Sequence, residues 1–294
     1  MSGAETGWDR YRRLFPVTKK YLFLNHAAVS ATSIPVVQAM TAFWGERTIQ
    51  AGLNYPGWME QVEHARKLCA ELIGCFPDEI AFTSNTSHGL SAIAAGLQWK
   101  PGDAVLVSSP DFPSMQYAWQ PLQKKGVRIV PVKRRQGGHF GVREVEQALV
   151  PGTRLLAVSS VDFATGFHVD LKSLGEFCRR KSMLFCVDAI QSLGVLDMDM
   201  KAHGIHFLAS GGHKWLMGPM GMGVLCVDRS VADLVDPVLV GWKSVINETD
   251  FTFHYELKKD ARKFEPGTQN LSGILGLGAA VQLLLEIGMR RIEK

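Results

Sequence analysis

Lys214 occupies an unusual setting for a lysine. The apolar, strand-like run Phe207-Leu-Ala-Ser210 leads into Gly211-Gly212-His213-Lys214-Trp215, and Gly218-Pro-Met-Gly-Met-Gly follows. Desolvation in such a place lowers an amine's pKa, which an imine-forming lysine needs. The alternative is a lysine whose stem packs while its head reaches water. Upstream, Val187-Asp188-Ala189-Ile190-Gln191 ends another hydrophobic run. A carboxylate there is costly to bury unless a cation pairs with it, or else it caps the next helix. A third signal is Ser84-Asn85-Thr86-Ser87-His88-Gly89 after the run Glu79–Thr83. Thr86 and Ser87 are expected to cap the helix that follows, and the free N–H groups beside their hydroxyls would cradle an anion. Read alone, this is an ordinary cap with no ligand. Together the three signals specify a phosphate, a protonated ring nitrogen and an aldehyde, which pyridoxal phosphate combines.

These residues need a frame that brings strand ends together. Strands are expected at Glu79–Thr83, Ala104–Ser109, Arg128–Val132, Leu155–Val161, Met183–Ala189, Phe207–Ser210 and Met222–Asp228. Several are continuously apolar, as strands buried on both faces are. Helices are expected between them at Thr86–Leu97, Met115–Lys125, Val142–Leu149 and Leu171–Lys181, with Val36–Gln50 and Trp58–Leu72 before the sheet. That alternation predicts an α/β fold, a three-layer sandwich around a seven-stranded, mostly parallel sheet. Only a loop separates the last two strands, so Met222–Asp228 is expected to join antiparallel. Ligands of such sheets sit beyond the carboxyl ends of the strands, where all three signals fall. Val231–Phe264 has no clear period, and no internal repeat is read.

Composition narrows the class. The chain has 294 residues, 46% apolar and 20% charged, with a net charge of +4 and no basic stripe. A nucleic-acid protein would more often carry one. The five cysteines are odd in number and form no Cys-x-x-Cys pair, which favours a reducing, cytoplasmic setting. The start, Met1 to Arg10, lacks the apolar core of a signal peptide. Leu271–Met289 is apolar except for Glu286, yet its glycines and Gln282 favour a helix of a soluble protein over a membrane span. His203-x-x-His206, with Asp197, Asp199 and His213 nearby, has the residue types of a metal site, but it reads as loop entering a strand, and no metal is expected. No Gly-x-Ser-x-Gly elbow supports a serine hydrolase.

Asp188-x-x-Gln191, followed by Ser210-Gly-Gly-His213-Lys214-Trp-Leu-Met-Gly-Pro-Met-Gly, resembles class V of the fold-type-I pyridoxal-phosphate enzymes. That group includes cysteine desulfurases, selenocysteine lyases, isopenicillin N epimerase, kynureninase and several aminotransferases. Tyr21-Leu-Phe-Leu-Asn25-His26-Ala-Ala-Val-Ser, Asn85-Thr-Ser-His-Gly and Phe264-Glu-Pro-Gly-Thr268-Gln-Asn add to the resemblance. The His-Lys-Trp-Leu variant is most similar to the epimerase and lyase-like branch. The resemblance implies that Lys214 is the Schiff-base lysine and the base at Cα. Asp188 then pairs with the pyridine nitrogen and Gln191 reaches the phenolic oxygen. Thr86 and Ser87 hold the phosphate with His213 beside it, and Phe112 stacks on the ring. Thr268 reaches the cofactor of a partner subunit, which implies a homodimer with shared sites. Asn25 and His26 are candidate substrate contacts.

Two departures stand out. Desulfurases carry a serine two residues before His213, where this chain has Gly211, so a phosphate hydroxyl from Ser210 is an open point. They also carry histidine where this chain has Phe112, which counts against desulfurase proton handling. The resemblance implies transamination or cysteine/selenocysteine lyase-type elimination on an amino acid. Epimerase-like racemisation and a truncated cofactor-binding module without turnover are the alternatives. The expected organisation is an amino-terminal segment at 1–30, a cofactor-binding large domain at 31–262, and a linking helix at 263–294. That helix would open a small domain that carries the substrate-carboxylate arginine and is absent, leaving the apolar helix uncovered.

Overall fold

The apolar, β-branched runs become strands buried on both faces. In the computed structural model, which describes residues 7–294, they are β1 (Ile80–Thr83), β2 (Ala104–Ser109), β3 (Arg128–Lys133), β4 (Thr153–Ser159), β5 (Leu184–Asp188), β6 (Phe207–Gly211) and β7 (Gly223–Val227). They form one seven-stranded sheet in the order β1-β7-β6-β5-β4-β2-β3. β7 runs antiparallel to both β1 and β6, as the short connection between β6 and β7 requires. The remaining pairs are parallel. β3 lies at the sheet's edge, where Pro131 removes no ladder bond that a further strand would need. The opening residues read above for a leader lie partly outside the described residues.

Helices cover both faces. They are α1 (Asp9–Arg12), α2 (Ile34–Gln50), α3 (Tyr55–Ile73), α4 (Thr86–Gly96), α5 (Pro113–Tyr117), α6 (Val142–Gln147), α7 (Leu171–Arg180), α8 (Leu271–Ile287) and α9 (Met289–Glu293). One apolar core lies between the sheet and α2, α3, α7 and α8, and holds Trp58, Val62, Phe177 and Leu277. The other lies under α4 and α5 and holds Leu90, Ile93, Met115 and Trp119. Alternate residues of one strand serve the two cores, Leu106 the first and Val105 and Val107 the second.

Two expectations need correction. Met115–Lys125 is not one helix: α5 ends at Tyr117 and a 3-10 turn takes Gln120–Lys125. Pro121 has no N–H for an α-helical ladder and its ring clashes with the preceding turn. The apolar helix α8 is also not left uncovered. Leu271, Ile274, Leu277, Val281 and Leu284 are buried, and its glycines lie against α2, α3 and the turn before β7. A Cβ at Gly278 would stand 2.8 Å from the Ala65 Cβ of α3. The greasiness of α8 is that of a core helix, and no helix among the described residues is long and apolar enough to cross a membrane.

An ion pair fixes the segment before α8 to the sheet. Arg66 of α3 donates to Glu265 at 2.7 and 3.0 Å and to the carbonyl of Ile80 at 2.7 Å. Glu265 also accepts the Phe82 N–H at 2.7 Å, so a buried charge pair is satisfied by strand backbone as well as by itself.

Candidate active site

The site lies at the carboxyl ends of the central strands. Asp188 is the last residue of β5 and is 2% exposed. Its Oδ1 accepts the Ile190 N–H at 2.9 Å, and its carbonyl accepts the N–H of Ser160 at 2.9 Å and the Ser160 Oγ at 3.0 Å. Burial pushes its carboxyl up to about 7. The Ile190 hydrogen bond and the Lys214 charge oppose that rise, and the Asp111 carboxylate adds to it. Lys214 sits in the turn after β6, half-buried, with Nζ 5.5 Å from the centroid of the Phe112 ring. Burial lowers its ammonium from the ordinary range, and Asp188 pulls the other way. His213 is lowered by burial and then by Lys214. Its carbonyl takes the Ser30 N–H at 2.9 Å. Gly211 makes room for that histidine, since a Cβ there would meet the imidazole at 3.2 Å.

The start of α4 differs from the expected cap. Asn85 caps the helix by accepting the His88 N–H at 2.9 Å, so Thr86 and Ser87 are the first residues of the helix itself. The sequence signal was displaced by one residue because asparagine caps as well as serine or threonine. The Thr86 and Ser87 amides then lie outside the helical ladder. Thr86 Oγ1 is buried and has no hydrogen-bond partner among the described residues. Ser87 Oγ stands 2.7 Å from Ser114 Oγ of α5.

The amino-terminal segment closes another side. Gln191 accepts the Trp215 indole N–H at 3.0 Å and donates to the carbonyl of Ala27 at 3.1 Å. His26 stacks on Trp215 at 5.4 Å and 25°, and its Nδ1 is 2.6 Å from Ser30 Oγ. Asn25 is exposed. Ser210 is buried on β6, and its Oγ donates to the carbonyl of Gly211 at 3.3 Å. Thr268 is exposed on the loop before α8, where it lines one cavity of about 510 Å³ with Trp44, Arg47 and Tyr55 and another of about 360 Å³ with Ser84 and His88 beside the α4 cap. His206 accepts the Phe185 N–H at 3.0 Å, and no cluster of three metal-binding side chains occurs among the described residues.

Sequence reading missed the support beneath Phe112. Asp111 accepts the Phe112 N–H at 2.7 Å, the Ser159 hydroxyl at 2.8 Å and an Arg134 N–H at 2.6 Å, and it is also bonded to Ser108. Arg134 pairs as well with Asp162. A signal was available: Val107-Ser-Ser-Pro-Asp-Phe112 recurs as Val158-Ser-Ser-Val-Asp-Phe163. The chain therefore does contain a short repeat, at the ends of the neighbouring strands β2 and β4.

The residues suit a phosphate-bearing aldehyde with a basic ring nitrogen. Thr86 Oγ1 and two helix amides await an acceptor, Lys214 is desolvated, and the Asp188 carboxyl would be returned to its charged form by a cation beside it. Fold and site thus define a pyridoxal-phosphate enzyme with an α/β large domain. The chain belongs to the aminotransferase class-V family, which it matches over residues 22–294.

Over 287 residues it is 33% identical to a probable cysteine desulfurase of Methanothermobacter thermautotrophicus, spanning 96% of this chain and 71% of that one. It is 31% identical over 285 residues to an uncharacterized aminotransferase of Bacillus subtilis, spanning 97% and 75%. The apo cysteine desulfurase of Thermococcus onnurineus NA1 superposes on all of this chain with a TM-score of 0.88 at 30% identity, and 74% of that chain is covered. A cystine C-S lyase shares the fold, with a TM-score of 0.85 at 24% identity.

Proposed function

We propose that the chain labilises the Cα proton of a small amino acid, with cysteine the first candidate, and carries it on to lyase-type elimination, with transamination as the second reading. The observation that carries this is Lys214 and Asp188 at adjoining strand ends, one amine lowered and one carboxyl raised by the same burial. Pyridoxal phosphate, when bound, supplies the aldehyde for Lys214 and a ring that spreads negative charge from Cα.

This chain's residues do the rest. Asp188 Oδ1 is held by the Ile190 N–H, which leaves Oδ2 to face a ring N–H, and a positive charge there keeps the carboxylate ionised. Lys214, with its ammonium destabilised by burial, is placed to take a proton from Cα and return it. Thr86 Oγ1 and the first amides of α4 hold the phosphate, and the helix N-terminus favours its charge. The Trp215 indole only donates, so it fixes the oxygen end of the Gln191 amide and leaves one Gln191 N–H for a ligand oxygen. Phe112 covers one face and excludes water but moves no proton.

Cysteine's presence among the relatives' substrates supports the first candidate, and the protein's own thiols bear on the reaction. Cys69, Cys178, Cys186 and Cys226 are buried, and burial pushes each thiol up, to about 12 at Cys69 and Cys178. None of these four is a thiolate at neutral pH. That disfavours transfer of sulfur to any of these four, and elimination would convert cysteine and water to pyruvate, ammonia and sulfide. Phe112 points the same way, and it favours transamination equally. The test is which lysine borohydride reduction fixes the cofactor to, followed by the products from cysteine. Pyruvate with sulfide marks elimination, and a 2-oxo acid that keeps its side chain marks transamination.

We also propose a homodimer in a reducing, cytoplasmic setting. Exposed Leu239, Phe251, Phe253 and Tyr255 support the first, and five free cysteines support the second.

A further inference from the structure

We propose that Arg134 is a positioning residue that clamps the loops after β2 and β4 and so holds Phe112 and Phe163 as one wall over Lys214. Three observations converge on it. Arg134 follows the edge strand β3, and its side chain, 2% exposed, reaches across the end of β2 to Asp111 and Asp162, which are 0% and 6% exposed. Each aspartate directly precedes a phenylalanine. Asp111 Oδ1 accepts the N–H of Phe112 itself, while Asp162 Oδ1 accepts the N–H groups of Ala164 at 3.1 Å and Thr165 at 2.7 Å, just past Phe163. The two phenylalanines then meet edge to face at 5.4 Å and 76°, and Phe112 carries Lys214 Nζ on its ring.

The wall needs a clamp because burial does not hold it. Phe112 is 40% exposed and Phe163 is 48% exposed, so water-facing rings would otherwise sample other rotamers. A guanidinium suits the task, since it is planar and always charged and offers separate donors to two carboxylates. Its Nε has no partner among the described residues, so the side chain's whole hydrogen-bonding use is at the two ends it bridges and at Ser108, 3.3 Å away.

The clamp also carries charge to the site. Asp188 is faced by Asp111, Lys214 and the Cys186 thiol, and Lys214 by Asp188 and His213. Arg134 offsets the Asp111 charge, which acts on Asp188, and the same charge is expected to reach the Lys214 nitrogen beyond it. This inference rests on the cofactor reading above, and the parent protein's own visible absorbance band, lost in Lys214→Ala, tests that reading separately.

The experiment compares the cofactor-loaded parent with Arg134→Met, Arg134→Lys, Asp111→Asn and Asp162→Asn. For each, the cofactor dissociation constant, the pH midpoint of the visible band and its induced circular dichroism are measured. Arg134→Met leaves Asp111 uncompensated, which favours the protonated Lys214 nitrogen and raises the midpoint. Asp111→Asn lowers it, because a negative charge is removed. Arg134→Lys restores the charge but not the fork, so the midpoint returns toward the parent while the dichroism stays reduced. Asp162→Asn cuts only the far end, so it weakens cofactor binding about tenfold, or ~1.4 kcal/mol, and leaves the midpoint alone. Opposite midpoint shifts are not what general loosening of the fold produces. Should Arg134→Met fail to fold, Asp111→Asn and Asp162→Asn decide by themselves. A parent that titrates while Asp111→Asn and Asp162→Asn match it in midpoint, affinity and dichroism overturns the proposal.

Discussion

The residues most legible in sequence were those whose chemistry conflicts with their surroundings. A lysine and an aspartate at the ends of apolar runs are costly there, and that cost marked Lys214 and Asp188. Arg134 gave no such mark, because it lies after an edge strand in the charged stretch Lys133-Arg-Arg, where its burial is a tertiary event. The cost at Asp188 is measurable. Burial, with Asp111 adding to it, holds its carboxyl at about 7, against 3.8 in the unfolded chain. The folded state therefore binds this proton more tightly. Stability falls as pH rises from the ordinary carboxylate range toward 7, and the full cost remains above that. Asp188→Asn is expected to stabilise the cofactor-free protein by roughly a few kcal/mol more at pH 8 than at pH 4.5, although it disables the site. Thermal melts at the two pH values check this. An equal effect at both would contradict it.

At the scale of elements, all seven strands were readable because each is a short apolar run bounded by turn residues. Helix ends and partners were less so. The cap of α4 fell on Asn85, since Ser84, Asn85, Thr86 and Ser87 all cap well and local sequence does not choose among them. α8 was misread as uncovered because its hydrophobicity is visible in sequence while the faces of α2 and α3 that cover it are not. Its packing yields a prediction. Gly278 faces Ala65 so closely that no side chain fits without parting α8 from α3. Gly278→Val should destabilise the protein by about 1–3 kcal/mol, read by denaturant unfolding at unchanged m-value. A neutral effect would mean the two helices part freely.

At the scale of the molecule, the sheet brings residues far apart in sequence to one edge: α4 carries the proposed anion site, β5 the carboxyl, the turn after β6 the amine, and β2 and β4 the two aromatic rings. The class of fold was legible from the alternation of elements. The site's completeness was not, since the Asp-Phe pairs act only once β2 and β4 lie side by side. Apolar residues at 238–255 are exposed, and the larger cavity beside Thr268 opens over the core residues Phe43 and Trp58. Sedimentation should give twice the chain mass of 32.4 kDa, and Leu239→Asp with Phe253→Asp should return the monomer. A monomeric parent would remove the shared-site expectation for Thr268.

Lys214 is proposed as the cofactor's covalent anchor. Borohydride reduction of the pyridoxal-phosphate-loaded protein, followed by peptide mass analysis, addresses it directly. One reduced cofactor per chain is expected on the peptide that contains Lys214, and none on Lys214→Ala. A cofactor found on another lysine, such as the buried Lys243 or Lys263, or an unmodified Lys214 in the loaded parent, would contradict it.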